Sequence, residues 1–142
     1  MTKTIIFDYD GTIHHTLGIY EPAFRETYQW LTEQKVTEER EIGSVEIAGW
    51  LGLNSKEMWN TFLPELDQSY KEQASRMVGD LMVRQIRKHK AVWYPGAEEM
   101  LTALKNRGYH LVILSNCKAS YREAHWKEFG LSLIHISEPT RL

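Results

Sequence analysis

The chain has 142 residues, 42% of them hydrophobic and 25% charged, with a formal net charge of -2. Those are the proportions of one globular domain, or of a small core carrying a subdomain, and they exclude two full domains. So small a charge gives no electrostatic reason for nucleic acid or an anionic membrane as partner, and the single cysteine, Cys117, excludes an intramolecular disulfide, so a reduced cytoplasmic setting is expected.

The N-terminus meets Asp8 and Asp10 after a short apolar run, unlike a signal peptide, and no apolar stretch approaches the length of a membrane span. That run, Thr4-Ile5-Ile6-Phe7, precedes a Gly-containing turn and reads as a strand buried on both faces in a parallel sheet. Pro22 suits the first turn of a helix, and Phe24, Tyr28 and Leu31 continue one apolar stripe through Gln34. A second helix is expected from about Glu38 to Trp50, ending at Gly52. Asn54 with Glu57 three residues later forms a capping-box pattern that starts a third, closed by Pro64. Tyr70, Ala74, Met77, Leu81 and Ile86 mark the longest helix, from Asp67 to about Lys88. The basic residues from Arg84 to Lys90 read as its solvated end.

Pro95-Gly96 opens a further helix with Glu98 and Glu99 in its first turn, Leu101 and Leu104 inward and Gly108 as the stop. A second buried strand follows at His110–Leu114, then Ser115-Asn116-Cys117 and a helix from about Ala119 to Phe129 stopped at Gly130. Strand, all-helical block, helix, strand, helix describes an α/β fold with a parallel sheet and a helical insertion spanning about 16–90. Trp50, Trp59, Trp93 and Trp126 read as packing residues.

Chemistry concentrates at Asp8-Tyr9-Asp10-Gly11-Thr12. In a strand, residues two apart project to the same side, so Asp8 and Asp10 can face the crevice at the carboxyl end of the sheet. Two close carboxylates repel, and a hard divalent cation relieves them; Mg2+, which takes oxygen ligands and keeps water, suits the pair as metal ligands. An ionised Asp8 can attack phosphorus, while Asp10 can protonate a leaving oxygen and later deprotonate water. Gly11 lets the backbone turn and offer N–H groups to phosphate oxygens, Thr12 can cap that turn, and Ser115 with the Asn116 backbone can hold the transferred group. An EF-hand fails, because its loop needs glycine at the sixth position behind a helix, whereas Gly11 is fourth behind a strand. His14 and His15 adjoin the motif but are poor ligands for a hard cation, so they are assigned loop or substrate contact, and Cys117 is read as passive.

The apolar strand with its DxDGT, the helical segment, and then Tyr94-Pro95-Gly96-Ala97-Glu98-Glu99-Met100-Leu101 leading to Leu111-Val112-Ile113-Leu114-Ser115-Asn116 resemble the haloacid dehalogenase (HAD) superfamily. The likeness is to its phosphoglycolate phosphatase-like branch with a helical cap, over residues 1 to about 130. The resemblance implies a Rossmann-like core from 1–15 and 91–131, a cap from 16–90 that carries specificity, and a small phosphorylated metabolite as partner. It implies Asp8 as nucleophile, Asp10 as acid/base and Ser115 as phosphate ligand. The second aspartate, absent from the family's dehalogenases, favours phosphoryl transfer, with a phosphatase ahead of a phosphomutase of the β-phosphoglucomutase type or a non-catalytic fragment.

The family's later lysine and further acidic metal ligands have no counterpart here. A sheet of two strands with exposed edges is therefore expected, and inactivity of these residues alone. The tail from Leu133 to Leu142 resembles the translation of sequencing-adapter read-through, so natural sequence is expected to end near Gly130 or Leu131, with 132–142 non-native.

Overall fold

The computed structural model describes residues 3–115 and 117–131, and the backbone of 135–137. It divides into two compact units, Met1–Thr16 with Ile86–Leu142, and Leu17–Gln85.

In the first unit a parallel sheet runs in the order β1 (Thr4–Asp8), β2 (His110–Leu114), β3 (His135–Ser137). The third strand is a departure from the two expected: the backbone of 135–137 pairs with Val112, Ile113 and Leu114. β1 also departs from expectation. Ile5 and Phe7 are half-buried, but Ile6 is 63% exposed, so only one face of β1 packs against described residues.

β2 is the central strand, with Leu111 and Ile113 buried in a core completed by Ala97 and Leu101 of α5 (Ala97–Asn106), Tyr9, Ile13 and Leu131. α5 begins at Gly96, held at φ 82°, a conformation glycine adopts without a side-chain clash. α6 (Ala119–Phe129) ends where Gly130 turns left-handed at φ 60°, its N–H bonding the Trp126 carbonyl. Trp126 is exposed on α6 and is not the packing residue that the sequence suggested.

The second unit is all-helical. α1 (Leu17–Glu33) begins more than a turn before Pro22, which therefore lies inside it and not in its first turn. Having no N–H, Pro22 leaves the Gly18 carbonyl without its intrahelical donor. α2 is only Ser44–Gly49, shorter than the expected span from Glu38. The residues before it are held extended by a different contact: the Tyr28 hydroxyl donates to the Glu38 carbonyl (2.7 Å) and accepts from the Arg40 N–H (3.1 Å). Three carboxylates in four residues, Glu38, Glu39 and Glu41, add repulsion that a helix would concentrate.

α3 (Ser55–Phe62) has the full capping box, Asn54 Oδ1 accepting the Glu57 N–H at 2.9 Å and the Glu57 carboxylate accepting the Asn54 N–H at 3.1 Å. α3 carries Met58 and Trp59 into a core with Phe24, Leu31, Ile47 and Leu81, the last from α4 (Gln68–Arg87). Each large side chain buried there contributes roughly 1.5–3 kcal/mol, which is why an aromatic-rich stripe holds four helices together. No helix among the described residues is long and apolar enough to cross a membrane.

Candidate active site

The motif begins where β1 ends. Asp8 is its last residue, exposed, with Oδ1 accepting the Tyr9 N–H at 2.9 Å. The parallel register sets Asp8 opposite Leu114, so Ser115 follows at the carboxyl end of the neighbouring strand. The exposed nucleophile candidate and the hydroxyl thus sit at adjacent strand ends, where open α/β sheets bind ligands. Asn116 lies outside the described residues.

Beyond β1 the chain turns on the Tyr9 carbonyl, which accepts the N–H groups of Thr12 (3.2 Å), Ile13 (2.9 Å) and His14 (3.0 Å). Gly11 stands at φ 76°, a conformation that a residue with Cβ rarely adopts. Its N–H is used inside the turn, bonding the His14 carbonyl (2.9 Å) and Thr16 Oγ1 (3.1 Å). The N–H groups of Gly11 and Thr12 are thus both used within the turn. Thr12 is exposed.

Asp10 is part of no regular strand; it makes an isolated bridge with His14. Its Oδ1 accepts three hydrogen bonds, from the Tyr121 hydroxyl (2.6 Å), His14 Nδ1–H (3.0 Å) and the Thr16 hydroxyl (3.1 Å). Burial works to raise the Asp10 pKa, but the bonds from His14 and Tyr121 outweigh it and hold the carboxyl below its ordinary range. The cost falls on the donor: burial and then the Asp10 charge push the Tyr121 hydroxyl pKa far up, so it stays protonated and donating.

Behind this carboxylate lies a buried polar cluster. His14 is fully buried, Tyr9 and His125 nearly so, and the His125 ring meets the His14, Tyr9 and Tyr121 rings edge to face. Tyr9 Oη shares a 2.7 Å hydrogen bond with His125 Nδ1 and accepts the Trp93 indole N–H at 3.0 Å. Burial depresses His125 to about 3, so its imidazole is neutral at physiological pH, and burial raises Tyr9. Ser115 and Cys117 line a cleft with Tyr9, Tyr121 and His125. Burial also raises the Cys117 thiol, with a hydrogen bond to Ser115 opposing it, so nothing activates it as a nucleophile.

Thr16, Tyr121 and His125 are the residues that sequence reasoning missed, and His14, read there as a loop or substrate contact, bonds Asp10. His14 and Thr16 had a signal, since they lie four and six residues beyond Asp10, but nothing in the spacing joins Tyr121 and His125 to it. The donor set around Asp8 fits a hard cation: a solvent-exposed carboxylate, with Asp10 two residues on, whose three bonds among the described residues all fall on one carboxylate oxygen.

The same architecture recurs in solved structures. A predicted phosphoglycolate phosphatase from Haemophilus somnus 129pt matches 99% of this chain and 64% of its own at 20% identity and a TM-score of 0.76. CbbY from Rhodobacter sphaeroides, in complex with phosphate, is 20% identical with a TM-score of 0.75 over 100% of this chain and 65% of its own. A hydrolase from Pseudomonas syringae, 20% identical, gives 0.72 over 96% and 61%. The chain thus spans less than two thirds of the length of these structures. No curated protein sequence matches it. The model of the haloacid dehalogenase-like hydrolases matches residues 2–137, nearly the whole chain, and on that match, with the α/β fold and the strand-end aspartate motif, the chain belongs to the haloacid dehalogenase-like hydrolase family.

Proposed function

We propose that the chain carries the phosphoryl-transfer centre of a Mg2+-dependent phosphohydrolase that acts on small organic phosphate monoesters in the cytoplasm. The observation that carries this reading is the register of β1 on β2, which puts the exposed Asp8 carboxylate and the Ser115 hydroxyl at neighbouring strand ends. The phosphate in the Rhodobacter CbbY structure supports the same substrate class.

In this reading an Asp8 carboxylate oxygen attacks phosphorus and the ester P–O bond breaks, leaving phosphoryl on Asp8. Asp10 gives its proton to the departing alkoxide, then takes one from the water that breaks the Asp8–phosphoryl bond. Its depressed pKa keeps it ionised, the state the second step starts from. For the first, an incoming phosphate brings negative charge beside Asp10 and raises its pKa toward protonation. Ser115 donates to a phosphoryl oxygen. Asp8 and Asp10 would hold Mg2+, which when bound neutralises charge on the phosphoryl oxygens.

The test is release of inorganic phosphate from a panel of monoesters by the chain extended with the family's later strands, these residues alone being expected inactive, with beryllofluoride binding followed by 19F NMR as a readout that needs no turnover. Asp8→Asn is expected to lower phosphate release by about four orders of magnitude and to abolish the beryllofluoride adduct. An unchanged adduct in Asp8→Asn overturns the assignment of the nucleophile.

A further inference from the structure

The two buried histidines have a property that the phosphohydrolase reading does not use. Each has one ring nitrogen anchored, His14 Nδ1 on the Asp10 carboxylate and His125 Nδ1 on the Tyr9 hydroxyl. In each the other nitrogen, Nε2, is buried without a hydrogen-bond partner among the described residues. A buried polar atom with no partner is unfavourable, and His125 Nε2 belongs to a ring whose centroid is 4.4 Å from that of His14. One nitrogen from each histidine and a carboxylate oxygen of Asp10 lie within 4.8 Å of one another.

From this arrangement we propose that Asp10, His14 and His125 form a site for a borderline divalent cation of the zinc class, distinct in ligand chemistry from the Mg2+ site at Asp8. Imidazole suits Zn2+, Co2+ or Ni2+ and is a poor ligand for Mg2+. Ligand atoms around a tetrahedral zinc stand about 3.3 Å apart, so side-chain movements of roughly 1 Å close these three onto one ion. Metal-binding histidines commonly have the far ring nitrogen fixed by a carboxylate or other polar group, which sets the tautomer. Tyr9 does this for the His125 ring, with Trp93 in turn holding the Tyr9 hydroxyl, while His14 meets the ion through the Nδ1 that faces Asp10.

A consequence rests on the phosphohydrolase reading: an ion that pulls the Asp10 carboxylate onto His14 and His125 draws it away from Mg2+ and from the leaving oxygen, so zinc inhibits hydrolysis where Mg2+ supports it.

The test uses the whole 142-residue chain, stripped with a chelator and titrated with Co2+ and Zn2+. Wild type is expected to give one equivalent of visible absorption typical of four-coordinate Co2+, displaced by Zn2+. His14→Gln and His125→Gln each weaken Zn2+ binding about 100-fold, and Tyr9→Phe, which only frees the His125 ring, about 10-fold. Asp8→Asn leaves binding unchanged. Circular dichroism melts establish that each variant is folded, and the wild-type spectrum stands if one is not. The proposal is overturned if wild type shows no four-coordinate Co2+ band, if both histidine variants retain it, or if the band carries the charge transfer of a Cys117 thiolate. Failure here leaves the Asp8 adduct untouched, and loss of that adduct leaves zinc binding untouched, so the two readings fail separately.

Discussion

Tyr121 Oη donates to Asp10 at 2.6 Å from a buried position, the shortest of the three bonds to that oxygen. Tyr121→Phe removes the donor and leaves the ring, so the expected cost is roughly 1–3 kcal/mol for a hydrogen bond to a charged group, measured by urea unfolding. His125 gives a pH dependence whose sign follows from its environment. It faces Tyr9, Asp10, His14 and Tyr121, and burial depresses it to about 3. Below its ordinary value of 6.5 the unfolded chain binds a proton that the folded chain refuses, so stability is fully present above pH 6.5 and falls as pH drops toward 3. In metal-free protein the extra slope between pH 6.5 and 5 approaches about 1.4 kcal/mol per pH unit. His125→Gln is expected to remove that slope in urea titrations. The strand-end placement of Asp8 and Ser115 was legible in the sequence because strand, turn and spacing are local. His125 and Tyr121 were not, because their meaning comes from a tertiary contact more than a hundred residues away in the chain.

Elements were read best where a local chemical signal fixed their ends. The Asn54–Glu57 box, the Gly108 and Gly130 stops and the His110–Leu114 strand all stand where residue type alone placed them. α1 and α2 were misplaced because the deciding interactions are tertiary: the Tyr28 hydroxyl holds the segment before α2, and burial of Ile19 begins α1 ahead of Pro22. The capping box allows a direct measurement. Asn54→Ala, which leaves an exposed N–H orphaned at the start of α3, is expected to cost about 1 kcal/mol in thermal or urea unfolding, and Asn54→Ser most of a kcal/mol less. An equal loss in both would show that the cap contributes nothing beyond side-chain bulk.

At the scale of the molecule, the sheet presents β1 as the terminal strand among those described, with Ile6 outward. An exposed, apolar, unprotected strand is an aggregation liability, and a lysine is a common natural remedy. Ile6→Lys is expected to leave stability within about 0.5 kcal/mol, as for most exposed substitutions, while raising the temperature at which light scattering begins. A loss of several degrees in the melting temperature would instead mean that Ile6 is covered in solution. The parallel pairing of β1 with β2 also has a kinetic meaning. Thr4 must find His110, and all of α1 to α5 separates them. Contacts so distant in sequence form slowly, whereas the aromatic core of Leu17–Gln85 is assembled from residues close along the chain. On the ribosome, the strand bearing Asp8 is therefore made well before its partner, and it stays open to chaperones until β2 emerges.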